Sequence, residues 1–217
     1  MGGVAALAVA ACGPAVAPPT KRVPLPSVAG DGPVPAFAAD LDHGARLFAR
    51  HCARCHGEGG AGDGVLAAGL SPPPSDWTAP DALREVAPAE LYRSMWRGKL
   101  GTSMQRFDTV LDEASTWDVV FHIWSLGADA AAIESAAAYD RHCQACHGPH
   151  GVPGSAAPGP PLLRPEWVAQ SRAWLEATVA RAHPGLDAGA RAAASERIWQ
   201  FLTVPAADGA IRSAPAR

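Results

Sequence analysis

The chain has 217 residues, of which 48% are hydrophobic and 18% charged, and its formal net charge is −3. This composition suits a globular protein with a sizeable core. The sequence has no basic run of the kind that would predict binding to nucleic acid. Gly and Pro occur 22 and 21 times whereas Tyr occurs only twice, so we expect much irregular backbone between short helices and no all-β fold.

Residues 1–39 are expected to act as a signal and a tether. The apolar run 4–11 is too short for a membrane span, which needs about 20 residues, and it is typical of a secretory signal. It ends at Cys12 in a pattern that resembles the lipobox of bacterial lipoproteins, which predicts lipidation of Cys12 and attachment to a membrane. The alternative is a cleaved signal with an incidental cysteine, since no Lys or Arg precedes the run. Residues 13–39 are rich in Pro, Ala and Gly and lack apolar periodicity, which favours a flexible tether.

The next segment combines helical stretches with a cysteine motif. A helical pattern over 40–53 leads into Cys52-Ala-Arg-Cys55-His56, and a loop rich in Gly and Pro follows. A shorter helix is expected over 90–97, and a closing helix over 112–125, with Asp112 as its start and Gly127 as its stop.

The same organisation recurs further along the chain. The sequence from Tyr139 to Gly148 matches the sequence from Phe48 to Gly57 at an offset of 91 residues, and a helical pattern over 131–144 precedes it. Another loop rich in Gly and Pro follows, and then helical patterns over 166–182 and 188–203. The repeat predicts two tandem domains, residues 40–127 and 128–205, and a disordered tail over 206–217.

The two motifs, Cys52-x-x-Cys55-His56 and Cys143-x-x-Cys146-His147, are typical of haem attachment. Two thiols one helical turn apart can form thioethers with the vinyl groups of a porphyrin, and the adjacent His can bind the iron. A zinc site would not need a His after each pair, a thioredoxin-like dithiol would need a βαβ context, and local disulfides remain an alternative. We therefore predict two covalently attached haem c groups.

Both halves resemble class I cytochrome c domains, and the resemblance covers residues 40–205. It implies a small all-α fold in each half, in which the first and last helices cross. It also implies that a proline carbonyl accepts a hydrogen bond from Nδ1 of the proximal His, the candidates being Pro72–Pro74 and Pro160–Pro161. The residues expected at the crossings are Gly44, Phe48, Phe121 and Trp124 in the first half and Ser135, Tyr139, Trp199 and Leu202 in the second.

The resemblance also implies a sixth ligand for each iron. In the first half the loop around Met104 matches the family's distal loop, and Met95, within the expected helix 90–97, is the rival. The second half has no methionine; His183-Pro184 stands where the family has Met-Pro, so His183 is predicted to bind opposite His147. An open sixth site and His150 are the alternatives.

Four further histidines are expected to have roles other than binding iron. His51 and His142 each precede a first cysteine, where surface or haem-propionate roles are expected. His43 and His122 are expected on helix faces.

These features predict an exported, periplasmic electron carrier that exchanges single electrons with donor and acceptor redox proteins of a respiratory-type chain. Imidazole should lower the potential of the second haem relative to the Met-ligated first haem, so electrons would enter at the second haem and leave from the first.

No catalytic base or nucleophile arrangement stands out. The alternatives are a peroxidase-like dihaem enzyme with an open second haem, and a subunit of an oxidase or metal-transport complex. The latter follows because the first half also resembles cytochrome domains of iron-permease-family proteins.

Overall fold

Helices make up almost all of the regular structure in the residues that the computed structural model describes, which are 16–18, 22, 24–25, 32–79, 81–127, 136–148, 159–162, 164–200 and 202–204. This agrees with the predicted all-α class. Short 3-10 helices cover Ala67–Gly69 and Pro165–Ala169. The other elements are β1 (Ala39–Asp40), α1 (Leu41–His51), α2 (Ala53–His56), α3 (Pro88–Arg97), α4 (Glu113–Leu126), α5 (Ala136–His142), α6 (Gln144–His147), α7 (Arg172–Ala182), α8 (Ala188–Gln200) and β2 (Thr203–Val204).

Side-chain caps fix where three of these helices begin. The carboxylates of Asp40 and Asp112 accept hydrogen bonds from the backbone N–H groups of His43 and Ser115 at 2.9 and 2.7 Å, so α1 and α4 start one residue later. Ser171 does the same for α7. These groups satisfy backbone donors that the first helical turn leaves without partners. The predicted start of α4 at Asp112 is confirmed.

Helices α1 and α4 cross in close contact at Gly44. A Cβ atom on Gly44 would lie 2.1 Å from the Asp118 carbonyl oxygen, so only glycine lets the two backbones approach this closely. Phe48 is 1% exposed, and its ring packs against those of His122 and Trp77, at centroid distances of 5.3 and 6.1 Å. The predicted roles of Gly44 and Phe48 are confirmed.

The predicted role of Trp124 at this crossing is wrong. Its ring lies 5.4 Å from that of Trp199 on α8, in the second half of the chain. Helix α4 has no polar face from Thr116 to Phe121, where every residue is buried, and Ile123 and Trp124 are buried as well. A helix that is apolar on all sides is covered on all sides. Here α1 and α3 cover part of α4, and α7 and α8 of the second half contact its carboxyl end.

Part of the segment expected to be a free tether is packed against the helices. Pro24 and Phe37 form an antiparallel bridge, and the Leu25 N–H donates to the Ala36 carbonyl at 3.0 Å. Leu25, Ala38 and Ala39 are buried. The expectation of a free tether is therefore wrong for part of this segment, because Leu25, Ala38 and Ala39 are buried and Arg22 binds the carboxylate of Asp118. Cys12, the tail 206–217 and Ser135 lie outside the described residues.

One pair of short strands brings the residues just before α1 next to the residues after α8. β1 and β2 are parallel, with Ala39 opposite Thr203 and Asp40 opposite Val204. The Ala39 N–H also donates to the Leu202 carbonyl at 2.9 Å.

Candidate functional site

The first cysteine motif lies where α1 ends and α2 begins. Cys52 interrupts the helix, and Gly57 ends α2 with a φ of 78°, in the region that favours glycine. A Cβ on Gly57 would lie 1.8 Å from a carboxylate oxygen of Asp63. The turn from Cys52 to Gly57 is thus fixed by the backbone, and it places Cys52 and His56 on the wall of one cavity.

This cavity is small, with a volume of about 40 Å³. The motif forms one part of its wall, and α3, α4 and the loop after α3 form the rest. Its lining is apolar apart from a few polar atoms, as expected for a cofactor site. The lining residues are Cys52, His56, Trp77, Leu91, Ser94, Met95, Met104 and Ile123.

His56 packs against Trp77 in the wall of this cavity. Its ring stacks on Trp77 at a centroid distance of 4.3 Å, and Nδ1 is buried without a hydrogen bond of good geometry. Burial lowers the pKa of His56, and a weaker interaction with the Ser75 backbone opposes that shift. A neutral imidazole is the form that binds iron. Ser75 follows Pro72–Pro74, so none of the three candidate prolines makes the predicted hydrogen bond to His56.

Both methionines proposed as sixth ligands reach the cavity. Met95 lies on α3 and is 4% exposed, whereas Met104 is half-buried in the loop between α3 and α4. The loop is held by hydrogen bonds from the Lys99 N–H to the Met104 carbonyl and from the Met104 N–H to the Thr102 hydroxyl, both 3.1 Å. The geometry thus brings together His56 and Met104 without excluding Met95.

The four motif cysteines are free thiols, so none forms the local disulfide considered above. Cys52 and Cys143 are buried, Cys55 is half-buried and Cys146 is exposed. Burial, and to a lesser extent the neighbouring Cys55, raises the pKa of the Cys52 thiol to about 12. Burial also raises the pKa of Cys143.

The second motif has its own set of supporting contacts. Tyr139 is fully buried, and its hydroxyl donates to the Gly148 carbonyl at 2.7 Å, which closes the turn around the motif. Nδ1 of His147 lies 2.8 Å from the Pro160 carbonyl oxygen, so the predicted hydrogen bond is confirmed at Pro160. A hydrogen bond of this kind fixes the orientation of the ring and leaves Nε2 for a metal.

Gly159 is a residue of this site that sequence reasoning missed. A Cβ there would lie 2.7 Å from the Cys146 carbonyl oxygen and 2.8 Å from Nδ1 of His147. Only glycine therefore lets the chain bring the Pro160 carbonyl to His147. The signal in the sequence is the Gly-Pro pair at 159–160, which by itself indicates only a loop.

His183 lies opposite His147. It follows the last residue of α7, and the ring centroids of the two histidines are 6.1 Å apart, with an interplanar angle of 85°. His147 is 7% exposed, whereas His183 is exposed to solvent. His150, the rival ligand, lies outside the described residues.

A buried charged cluster next to the first site was also missed. Asp118 on α4 is fully buried, and its carboxylate accepts two hydrogen bonds from the Arg22 guanidinium and one from the Asp40 N–H, at 2.7–2.8 Å. Nδ1 of His43 lies 2.7 Å from the same carboxylate. His43 lies on α1, as expected, on a face that is buried, since it is only 4% exposed. An Asp within an apolar helix was the signal that could have revealed the cluster.

The remaining histidines stay outside both sites. His51 is half-buried beside α4 and His142 is exposed, whereas His122 packs on Phe48. Burial lowers the pKa of both His51 and His122. In the described part of the chain, no group of three or more His, Cys, Asp or Glu side chains is placed to hold a metal ion. No helix in that part has the length and apolar character needed to cross a membrane.

Two comparisons bear on this geometry. Residues 39–123 match a family model described as cytochrome c oxidase, cbb3-type, subunit III. This match supports a cytochrome c domain over these residues, and such a domain implies covalently bound haem c and electron transfer. A solved structure, the reducing HAO-like protein complex of Kuenenia stuttgartiensis, is 17% identical over 77% of this chain and 98% of that chain, with a TM-score of 0.35. That similarity is too low to support an argument.

Proposed function

We propose that the chain is a dihaem electron-transfer protein with one covalently attached haem c in each half. The observation that carries the proposal is the second site, where His147 is oriented by Pro160 and faces His183 at 6.1 Å. Two imidazoles bound to opposite sides of one metal ion through bonds of about 2 Å have ring centres roughly 6 Å apart. The pair therefore has the separation that binding to a shared iron requires.

In each half, different residues would attach the haem covalently and bind its iron. When bound, haem c supplies one-electron oxidation and reduction at its iron. Cys52 and Cys55 would hold the first haem and Cys143 and Cys146 the second, as thioethers. His56 with Met104 and His147 with His183 would be the ligand pairs.

The two ligand pairs give the sites unequal potentials. A thioether ligand raises the potential of a haem relative to a second imidazole. The second site would therefore have the lower potential, and the free energy of an electron would fall from the second site to the first. Such a difference favours one direction of transfer through the chain, from a donor at the second half to an acceptor at the first.

The proposed setting is the periplasm, with a lipid on Cys12 holding the protein at a bacterial membrane. Donor and acceptor would be redox proteins of a respiratory-type chain. The match of residues 39–123 to a subunit of a cytochrome oxidase favours a redox partner or subunit of an oxidase complex over a metal-transport partner. A peroxidase-like activity needs an open second site, which the position of His183 disfavours.

A redox titration of the haem-loaded protein, followed by optical spectroscopy, tests the proposal. The wild type should show two separated waves and the spectrum of a low-spin haem with two histidine ligands. His183→Ala should remove that spectrum and change only the lower wave. His142→Ala is the matched control, since His142 is exposed and adjoins Cys143.

Two results would contradict the proposal. A single wave that His183→Ala leaves unchanged would overturn the ligand assignment. Rapid binding of carbon monoxide to the reduced wild type at the second haem would show an open site, and the enzyme hypothesis would then replace the carrier.

A further inference from the structure

Arg172, the first residue of α7, connects the two halves of the chain. Its guanidinium donates hydrogen bonds to the carbonyls of Trp124 and Gly127, at 2.7 and 2.9 Å, at the carboxyl end of α4. It lies 4.6 Å from the centre of the Trp124 ring, and its Nε is 2.8 Å from a carboxylate oxygen of Glu196 on α8. Arg172 is only 5% exposed. One side chain therefore joins α4, α7 and α8.

A second contact fixes the same end of α7. Arg84, in the loop before α3, forms a two-pronged ion pair with Glu176 at 2.9 and 2.6 Å. The Ala173 N–H donates to the Arg84 carbonyl at 3.1 Å. The first two turns of α7 are thus held against the first half by both side-chain and backbone contacts.

Helix α7 transmits this placement to the second site. Its sequence from Arg172 to Ala182 contains neither Gly nor Pro, and Leu175 and Val179 are buried along one side. His183 follows directly, and its N–H donates to the Val179 carbonyl at 2.8 Å. Eleven residues of helix span roughly 16 Å, so the anchored end and the ligand are the two ends of one stiff element.

We propose that Arg172 is a positioning residue for His183, through which the carboxyl end of α4 in the first half sets the strength of the distal ligand in the second. The inference rests on the proposed ligation of the second haem by His183. It makes the interface between the halves part of the second redox site. A change in the first half near Gly127 would then alter ligand binding in the second half.

The chemistry of the anchor explains why arginine serves here. A cation at the carboxyl end of a helix is stabilised by the carbonyl groups that have no helical partner. The planar guanidinium can satisfy two carbonyls, a carboxylate and an aromatic face at once, which a lysine cannot do. Removing the cation takes its hydrogen bonds from two carbonyls and its charge from the side of Glu196, so that only the Arg84 contacts then hold this end of α7.

The rate of carbon monoxide binding to the reduced, haem-loaded protein tests the inference, since the gas must replace the distal ligand. His183→Ala identifies the kinetic phase that belongs to the second haem. Arg172→Gln should accelerate that phase about tenfold, equivalent to about 1.4 kcal/mol of weakened ligation, and leave the other phase unchanged. Arg172→Lys should give a smaller acceleration. Arg181→Gln is the matched control, because Arg181 lies closer to His183 on the same helix but is exposed.

The outcomes separate the inference from its premise. If His183→Ala changes neither the spectrum nor any phase, the proposed ligation itself fails. If His183→Ala acts but Arg172→Gln and Arg181→Gln behave alike, Arg172 does not position the ligand. Equal acceleration of both phases by Arg172→Gln would show general loosening and would also overturn the inference. Should Arg172→Gln fail to fold, Glu176→Gln, which breaks the second anchor, replaces it and is expected to accelerate the same phase.

Discussion

The cluster around Asp118 should contribute strongly to the stability of the first half, and Asp118→Asn tests this. The substitution keeps the size of the side chain but places an amide N–H₂ group where an oxygen now accepts hydrogen bonds. Asp118 is fully buried, and Arg22 uses both of its terminal nitrogens to bind it. Asparagine can satisfy the Asp40 N–H or one nitrogen of Arg22, but it cannot satisfy all the donors.

The magnitude follows from the burial of the two partners. Breaking a fully buried ion pair by removing one charge costs about 3–5 kcal/mol. The side chain of Arg22 is 22% exposed, so water can relieve part of this cost. We therefore expect the free energy of unfolding to fall by about 2–3 kcal/mol, which in a protein of this size lowers the melting temperature by about 4–12 °C.

Denaturant and thermal unfolding of the haem-loaded protein, monitored by circular dichroism, measure this change. Asp108→Asn is the control, because Asp108 pairs with the exposed Arg106 at the surface and its loss should change stability little. A double-mutant cycle with Arg22→Leu should show a coupling energy that the control pair lacks. If Asp118→Asn were no more destabilising than Asp108→Asn, the reasoning from burial would be refuted, and with it the packing of Arg22 against α4.

Two further predictions concern the first half. Burial lowers the pKa of His122 from its usual 6.5, so below about pH 6.5 the unfolded chain binds a proton that the folded chain does not. The free energy of unfolding should therefore decrease as the pH falls from 7 to 5, and His122→Phe should make that decrease smaller in equilibrium unfolding experiments. Met104→Leu should remove the sulfur-to-iron charge-transfer absorption of the oxidised first haem and lower its potential, whereas Met95→Leu should leave both unchanged. The reverse result would make Met95 the ligand.

Local signals in the sequence predicted the helices well. Asp112 and Gly127 bracket α4 because a capping carboxylate and a terminal glycine act on neighbouring backbone groups. The start of α3 was placed two residues late, because Pro88 suits the first turn of a helix and was not used as a start signal. The repeated cysteine motif likewise carries its chemistry within five consecutive residues.

Features that depend on distant partners were not predicted. The Asp118 cluster joins residues 96 positions apart, and nothing near Arg22 in the sequence indicates that it meets a buried carboxylate. The sequence of the first half alone places Trp124 at the crossing of its own helices, whereas in the structure the Trp124 ring contacts Trp199 of the second half. The mostly apolar sequence of α4, interrupted in its buried part by Thr116 and Asp118, is the one local sign that a second covering layer is required.

The short parallel pairing of β1 and β2 has a mechanical consequence. Neighbouring strands lie about 5 Å apart, so the start of α1 and the last described residues of the second half lie side by side. A pull on the chain beyond Val204 therefore acts directly on the start of α1 as well as on α8, and it loads both halves of the chain at once.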